Sequence, residues 1–518
     1  MKSRNRWFVS LRAATGVAVA LVATWAHAQF DGPAPLAWRW AQTSTVPPGG
    51  SPIISGDRVY VAVGSRMYSL DLATGNQVWR YPAADPLPAN FRRGAVITQG
   101  LLIAGADNKM VYAADAATGV AKWQFTAPEP ITSEVLADGP VAVVMFGDSQ
   151  FQAIDVTSGV AAWREPLKIE DGVLGSPILF RNRLIVCTQS FEMLAIDLDT
   201  KRVAWRTRFS ELGPDVKPTV FGDLIVVNSG DFVIAVNGNG GGVRWQRNAG
   251  TPLSSSPTVT AEGVFVVTRD GTGMSFDPSG RTMMRTPLDF QSSVAAPPVG
   301  IGRYALVPTL NGSINMVDIK AGSLIWNYIV RPLPGSTFAP SASQPAGGSA
   351  AAPAGPPTFV TVAGSPVVSG DTMIVIARDG SILAFDKKNG VDLTPPTVRM
   401  LFPNPGDQVN PNPPFQLAFR VEDEASGVNF DLAKVTIDGI DYTSRITREG
   451  ILTVQFGGSS NNPVLTDGRK TILVRVYDWM GNRNDFTFVV AADSSLRLSG
   501  PPSATPPAGG GGRGGGGV

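Results

Sequence analysis

The sequence predicts an all-β chain: an eight-bladed β-propeller with four-stranded blades, followed by a small β-sandwich. Three observations carry this prediction. A motif recurs with a period of about 40 residues, each period contains four short strand patterns, and the pattern changes near residue 395. Repeats of this length with no helical periodicity between the strands are typical of propellers.

The repeat is aligned on an acidic or amide residue that follows the third strand of each period. The first six spacings between these residues run from 40 to 44, and the last is 68. A Trp lies eight residues later in six of the eight copies, whereas Met284 takes that place in the sixth, where the turn is one residue shorter. The aligned positions are Asp71, Asp115, Asp155, Asp197, Asn237, Asp277, Asp318 and Asp386, and the Trp residues are Trp79, Trp123, Trp163, Trp205, Trp245 and Trp326.

The first period shows the strands most clearly. It reads "SPIIS", "RVYVAV", "RMYSLD" and "QVWRYPA", with turn-forming residues at the joints. Strand one often carries an early Pro, as at Pro52 and Pro177, which a strand tolerates at its first residues or its edge.

The motif residues are predicted to have structural roles. The Asp accepts backbone N–H groups in the turn, the Gly four residues later adopts a positive φ, and the Trp packs between blades. The residue two places before the Asp is small in seven copies, which suits close approach to a neighbouring sheet. Gly390 is expected to behave like the other motif glycines. The predicted structural residues are Asp71, Gly75, Trp79, Asp115, Gly119, Trp123, Asp155, Gly159, Trp163, Asp197, Trp205, Trp245, Asp318, Gly322 and Trp326.

The alternative for the repeated Asp residues is metal ligation or acid–base catalysis. Each lies in the equivalent turn of a different blade, so the copies are held apart around the ring, and the turn role is favoured.

The eighth repeat predicts how the ring closes. Thr394 stands where the Trp is expected, and the two prolines of "LTPPTV" forbid a regular fourth strand. The segment "LAWRWAQ", Leu36–Gln42, is a Trp-bearing strand that precedes the first complete repeat. Pairing it into the last blade, with Trp38 and Trp40 as ring-closure residues, removes two exposed sheet edges.

The remaining segments divide the chain further. We predict a signal peptide at residues 1–28, the propeller at 29–395, a disordered insert between blades at 331–362, the sandwich at 396–493, and a disordered Gly/Pro-rich tail at 494–518. For the insert, a mobile linker is favoured, and a peptide-docking role stays open.

Two turns of the sandwich segment have a recognisable pattern. The stretches "VEDEASGV" and "VYDWMGNRND" resemble the turns of bacterial immunoglobulin-like modules, which implies an immunoglobulin-like β-sandwich. A calcium site at Asp423 or Asp478 is an alternative to tight turns capped by Asp and Asn, which are favoured.

The composition indicates where the protein is located and which kinds of chemistry its side chains can perform. Basic residues, an apolar run and Ala26-His27-Ala28 predict export to the periplasm or beyond, with no cysteine for lipidation at the cleavage site. The formal charge, +1 for the whole chain, offers no footprint for nucleic acid. His27 is the sole histidine and lies in the signal segment, so imidazole catalysis and His-ligated metals are excluded from the mature chain. Cys187, the sole cysteine, is expected to be a buried, inert thiol rather than a reactive one.

The Asp-x-x-Thr-Gly-x-x-x-Trp repeat resembles the tryptophan-docking motif of pyrroloquinoline-quinone (PQQ) repeat propellers, over about Gln29 to Pro395. That family includes quinoprotein dehydrogenases, for which the resemblance would imply PQQ, calcium, a catalytic Asp and a disulfide of adjacent cysteines. It also includes the non-catalytic propeller lipoprotein of outer-membrane β-barrel assembly. A single Cys187 cannot form that disulfide, and the blades lack long inserted loops, so the resemblance favours the non-catalytic branch.

The function predicted from the sequence is therefore an exported, non-enzymatic scaffold that binds protein partners in the cell envelope and carries no cofactor. The first alternative is a PQQ-dependent dehydrogenase. The second is a surface adhesin or carbohydrate-binding protein, which the C-terminal module suggests.

Overall fold

The structure is a computed structural model of the chain and describes residues 30–42, 46–334, 359–447, 449–457 and 460–497. The predicted signal peptide lies outside the described residues. So do the central part of the predicted insert and all but the first residues of the predicted tail.

Eight four-stranded antiparallel sheets follow one another along the described part of the chain, which confirms the predicted propeller. In blades 1–7 the strands of each sheet are consecutive in sequence, so each repeat forms one blade. Blade 1 comprises Ile53–Ser55, Arg58–Val63, Arg66–Asp71 and Gln77–Tyr81; blade 2, Ala95–Thr98, Leu101–Gly105, Met110–Asp115 and Ala121–Thr126; blade 3, Leu136–Asp138, Val141–Phe146, Gln150–Asp155 and Leu167–Lys168; blade 4, Val173–Phe180, Arg183–Thr188, Glu192–Asp197 and Val203–Arg208. Blade 5 comprises Thr219–Phe221, Leu224–Ser229, Phe232–Asn237 and Val243–Asn248; blade 6, Thr258–Val259, Val264–Val267, Thr272–Phe276 and Leu288–Asp289; blade 7, Val299–Ile301, Tyr304–Pro308, Ser313–Asp318 and Ser323–Ile329.

Blade 8 closes the ring as the sequence predicts. Its three later strands are Val367–Ser369, Thr372–Ile376 and Ser381–Asp386, and the fourth position is taken by Leu36–Ala41 from the start of the described chain. Trp38 lies opposite Ala384 and Trp40 opposite Ile382 in an antiparallel ladder. The two ends of the propeller segment therefore hydrogen-bond to each other within one sheet.

The cores of the propeller lie between blades. The second and third strands of each blade are almost entirely buried, and their two faces contribute to different clusters. In blade 2, for example, Leu102 packs towards blade 1 and Ile103 towards blade 3. Strands covered on both faces need apolar residues at consecutive positions, which explains runs such as "RLIVC".

The residues after the propeller form a two-sheet sandwich. One sheet contains four strands, the other five, and both pack on one core that includes Phe419 and Val474. The first sheet comprises Thr397–Phe402, Gln416–Glu422, Ile451–Gln455 and Arg445–Ile446; the second, Gln408–Val409, Arg483–Ala492, Gly468–Tyr477, Lys434–Ile437 and Ile440–Tyr442; a 3-10 helix covers Phe430–Leu432. The immunoglobulin-like character of this sandwich stays a prediction.

The insert between blades 7 and 8 is shorter than the predicted 331–362, because residues near its C-terminal end are hydrogen-bonded to the blades. The N–H of Val360 donates to the carbonyl of Val330 (2.9 Å), and Val362 forms a bridge with Ala377. The predicted bounds of 331–362 thus include residues that are hydrogen-bonded to blades 7 and 8. Among the described residues, no helix is long and apolar enough to cross a membrane.

Candidate functional sites: the blade seams and the propeller–sandwich junction

The motif Asp organises the turn after the third strand. In blade 1 the Asp71 carboxylate accepts the Thr74 N–H (2.9 Å) and hydroxyl (2.7 Å). These hydrogen bonds to the charged form hold the pKa of Asp71 below its usual value. Asp115, Asp155 and Asp197 bind their own turns in the same way. Asp318 accepts two backbone N–H groups of its turn and also forms an ion pair with Arg303 (3.1 Å).

The motif Gly has two reasons to lack a side chain. In blade 2, Gly119 has a φ of +72°, and a Cβ at this position would lie 2.6 Å from the ring of Trp79 in blade 1. Gly75 and Gly159 have positive φ and lie under Trp38 and Trp123 respectively. Gly322 also has a positive φ. The same expectation for Gly390 is wrong: its φ is not positive, and its turn lies against Pro35 rather than a Trp.

We call the interface between two neighbouring blades a seam. At five seams the Trp of the outer strand makes the same hydrogen bond. Its indole N–H donates to the carbonyl of the residue that directly follows the aligned Asp or Asn of the next blade. The pairs are Trp38 with Leu72 (3.0 Å), Trp79 with Ala116 (3.0 Å), Trp123 with Val156 (2.7 Å), Trp205 with Gly238 (2.9 Å) and Trp245 with Pro278 (3.0 Å). We call this contact the seam bond. Trp40 has a different environment and meets the edge of the Tyr68 ring, 5.0 Å between centroids.

The seam between blades 3 and 4 departs from this pattern. Trp163 is half-buried, and its indole N–H has no hydrogen bond to any described residue; nor does the Leu198 carbonyl, its expected acceptor. Instead, the Lys201 ammonium lies over the Trp163 ring, 5.5 Å from its centroid. A cavity of about 530 Å³ lies at this seam, lined by residues of both blades including Trp163 and Leu198.

Two local features of the chain explain the departure. Lys201 occupies the motif Gly position with a φ of +54°, so its side chain takes the place over which an indole would lie. The fourth strand of blade 3 is also reached later than in blade 2. Lys168 and Thr126 are equivalent, because each pairs with the first residue of strand three in its blade. Lys168 lies thirteen residues after the motif Asp155, whereas Thr126 lies eleven residues after Asp115. The two extra residues interrupt the fourth strand around Trp163.

The seam between blades 6 and 7 has Met284 in place of the motif Trp, but it is filled. Ser275, two places before the motif Asp of blade 6, donates its hydroxyl to the Ile319 carbonyl (2.6 Å). Ile319 directly follows the aligned Asp318, so its carbonyl is equivalent to the carbonyls that accept an indole N–H at other seams. Met284 packs beside Gly322, so the apolar part of the contact is retained.

Trp326 of blade 7 joins the propeller to the sandwich. It is fully buried, and its indole N–H donates to the Ser426 carbonyl (2.8 Å) in a sandwich turn rather than to blade 8. The Tyr328 hydroxyl donates to the Glu424 carbonyl (2.8 Å), and the Leu36 N–H donates to the Ala425 carbonyl (2.7 Å). The same sandwich turn therefore binds blade 7 and the ring-closing strand of blade 8.

Three carboxylates meet at this junction. One oxygen from each of Asp392, Asp423 and Asp478 lies within 4.8 Å of the others. Asp423 accepts three backbone N–H groups from its turn, including those of Ser426 (2.8 Å) and Gly427 (2.6 Å). Burial nevertheless raises the pKa of Asp423 to about 6, and it also raises the pKa of Asp478. The two residues thus form capped turns, as favoured from the sequence, and are also placed where they could hold a cation together.

The mouth of the central channel is polar. A cavity of about 560 Å³ is lined by turns from blades 2 to 7, among them the serines Ser254–Ser256. The Lys217 ammonium lies 3.1 Å from the Glu134 carboxylate in this lining. The described lining holds Arg93 as a second cation and contains no aromatic ring. It therefore does not fit PQQ, a planar polyanion that needs stacking and several cations.

Sequence reasoning anticipated some of these features and missed others. Cys187 is buried, as predicted, and burial raises the pKa of its thiol to about 12, which disfavours the reactive thiolate. The role of Asp392 was missed, since it belongs to no repeat. The open seam at Trp163 had one signal, the replacement of the motif Gly by Lys201.

Comparison with known proteins agrees with this fold. The family model described as outer membrane protein assembly factor BamB matches residues 33–95, 87–211 and 192–345, which together exceed half of the chain. A comparison with curated protein sequences finds no match.

Solved structures also match. BamB from Moraxella catarrhalis is 15% identical with a TM-score of 0.50, and the match covers 68% of this chain and 99% of that one. The computationally designed Ika8 protein is 12% identical with a TM-score of 0.52, covering 67% and 98%. A europium-containing methanol dehydrogenase is 13% identical with a TM-score of 0.47, covering 68% and 84%. Identities this low show the fold alone.

The fold and the seam motif define a PQQ-repeat β-propeller. Within that class, the chain belongs to the outer membrane protein assembly factor BamB family.

Proposed function

We propose that this protein is an exported, non-enzymatic scaffold that binds protein partners in the cell envelope. The observation that carries the proposal is the family match over residues 33–345, since the model that matches is described as an assembly factor. The predicted signal peptide supports the location, and the seam residues are proposed to hold the ring together.

The junction with the sandwich supports a scaffold role. The sandwich turn binds blade 7 through Trp326 and Tyr328, and Arg331 forms an ion pair with Glu422 (3.1 Å). Ile329 of blade 7 packs into the sandwich core. Contacts of this kind give the sandwich a defined position relative to the propeller, as expected of a rigid extension to a binding surface.

A crosslinking experiment tests this proposal. The full chain, carrying a photo-reactive residue at exposed positions around the propeller, is expressed in its native envelope and crosslinked, and its products are identified by mass spectrometry. We expect discrete adducts with envelope proteins from positions clustered on one surface. Adducts spread evenly around the ring would contradict a specific scaffold.

An activity assay on the purified protein distinguishes the scaffold proposal from the alternative of a PQQ-dependent dehydrogenase. We expect neither a quinone absorbance nor dye-linked oxidation of alcohols or sugars after incubation with PQQ and calcium. Reproducible turnover would overturn the proposal.

A further inference from the structure

The open seam between blades 3 and 4 has the composition of a binding slot. Its lining includes the ring of Trp163, the apolar side chains of Val143 and Leu179, and the acidic residues Asp138 and Asp199. We call the cavity of about 530 Å³ lined by these residues the blade 3/4 slot. Asp138 and Asp199 are exposed, so the entrance of the slot faces solvent.

The blade 3/4 slot lies where other seams hold an indole ring. Between blades 1 and 2 that place is filled by Trp79, which packs on Gly119 and donates to the Ala116 carbonyl. In the slot the equivalent carbonyl belongs to Leu198, and it accepts no hydrogen bond from the described residues. An apolar surface with an available carbonyl acceptor is complementary to an aromatic side chain that carries its own N–H or O–H donor.

The edge of the slot adds a preference for charge. Asp138 has no ion pair among the described residues, and Asp199 accepts only the Asn182 amide (2.7 Å). Lys201 is already engaged, since it donates to the Glu165 carbonyl (2.9 Å) while covering one face of Trp163. Two carboxylates at the entrance favour a basic residue next to the inserted ring.

We propose that the blade 3/4 slot takes an aromatic side chain, Trp or Tyr, from a segment of a partner protein that has basic residues beside it. The ring enters the slot beside Trp163 and donates to the Leu198 carbonyl, and the basic neighbours pair with Asp138 and Asp199. This inference rests on the proposed scaffold function and names where one partner segment binds.

A fluorinated peptide provides the test, because its signal is distinct from the tryptophans of the protein. Acetyl-Lys-(5-fluoro-Trp)-Lys-amide is titrated with the full mature chain and followed by ¹⁹F NMR. We expect a saturable shift of the fluorine resonance that weakens at high salt. The same peptide with Glu in place of both Lys residues is expected to bind at least tenfold more weakly. A linear, non-saturating response would overturn the proposal.

Blocking the entrance gives the matched pair of variants. Asn182→Trp places a large side chain at the slot from an exposed turn and is expected to abolish saturable binding. Asp57→Trp alters the equivalent turn of blade 1, where the backbone carbonyl accepts the Leu72 N–H just as that of Asn182 accepts the Leu198 N–H. The blade 1 seam is already filled by Trp38, so this control is expected to bind like the wild type.

Equal binding by both variants would place the peptide elsewhere and overturn the slot. Failure of the slot proposal and failure of the scaffold proposal give different results in these experiments. Peptide binding lost in Asn182→Trp, together with no envelope adducts, would retain the slot but reject an envelope protein as its partner. Envelope adducts that persist unchanged in Asn182→Trp, with no peptide binding, would retain the scaffold and reject the slot.

Discussion

The seam between blades 1 and 2 and the seam between blades 3 and 4 start from nearly the same motif but differ in structure. At the first, Trp79 lies on Gly119 and its N–H reaches the Ala116 carbonyl. At the second, Lys201 replaces the glycine and Trp163 makes no such bond with the described residues. The comparison teaches that the Trp is a seam residue only when the next blade offers a surface without a side chain.

The largest expected difference is between the two tryptophans. Trp79→Ala removes a buried ring and its seam bond, so we expect a loss of about 3–5 kcal/mol in the free energy of unfolding. Trp163→Ala removes a half-buried ring without a hydrogen bond, and we expect a loss of about 1 kcal/mol. Urea denaturation of both variants measures the difference. Equal losses would show that the two seams are energetically alike.

The glycine position sharpens the same comparison in both directions. Gly119→Ala puts a Cβ 2.6 Å from the Trp79 ring at a positive φ, so we expect destabilisation by about 2–4 kcal/mol. Lys201→Gly relieves a positive φ and is expected to stabilise by up to about 1 kcal/mol, reduced by the lost contact with Trp163. Melting temperatures should shift in opposite directions. A Gly119→Ala variant as stable as the wild type would contradict the close packing.

Ser275 tests whether the seam acceptor itself matters. Ser275→Ala leaves the buried Ile319 carbonyl without its hydroxyl donor, and we expect a loss of about 1–3 kcal/mol by urea denaturation. Ser69→Ala is the matched control, because Ser69 occupies the same place in blade 1, where Trp79 and not the serine supplies the hydrogen bond to the carbonyl of the next blade. Similar losses in the two variants would argue against a role for the acceptor.

The smallest effect concerns pH and contrasts the junction with the seams. The pKa of Asp423 is raised to about 6 in the folded protein, so between about pH 4 and 6 the folded state binds more protons than the unfolded state. Stability is therefore expected to fall as pH rises through this window. Asp423→Asn should flatten the fall, as measured by unfolding midpoints across the window.

The motif carboxylates change stability with pH in the opposite direction to Asp423. The pKa of Asp71 is lowered in the folded protein, so its contribution is present above about pH 4 and is lost as the pH falls below that value. Asp71→Asn should leave the slope between about pH 4 and 6 unchanged. A flattened slope in Asp71→Asn would contradict the assignment of the fall to the junction.

Much of the fold could be predicted because the repeat is a local pattern. The spacing of the aligned residues, the four strand patterns per period and the orphan strand with Trp38 together predict eight blades and the way the ring closes, and the structure agrees. The buried state of Cys187 was predictable for the same reason, since "RLIVC" is an apolar run in a central strand.

The candidate sites were less predictable because they depend on contacts between distant residues. Trp163 and Trp79 occupy the same place in the repeat, but the position of each ring is decided by a residue of the following blade and by the length of its own strand. Trp326 fits the motif too, yet its N–H binds Ser426, one hundred residues later in the chain.

The sequence by itself determined the repeating unit, the number of blades and the closing strand, because a strand's alternation and a turn's chemistry are properties of neighbouring residues. Only the tertiary structure decided which seams are filled, where the sandwich binds and how Asp392 comes to lie beside Asp423 and Asp478. The physical reason is that a seam bond joins an N–H and a carbonyl more than thirty residues apart. Its formation depends on the packing of two blades against each other.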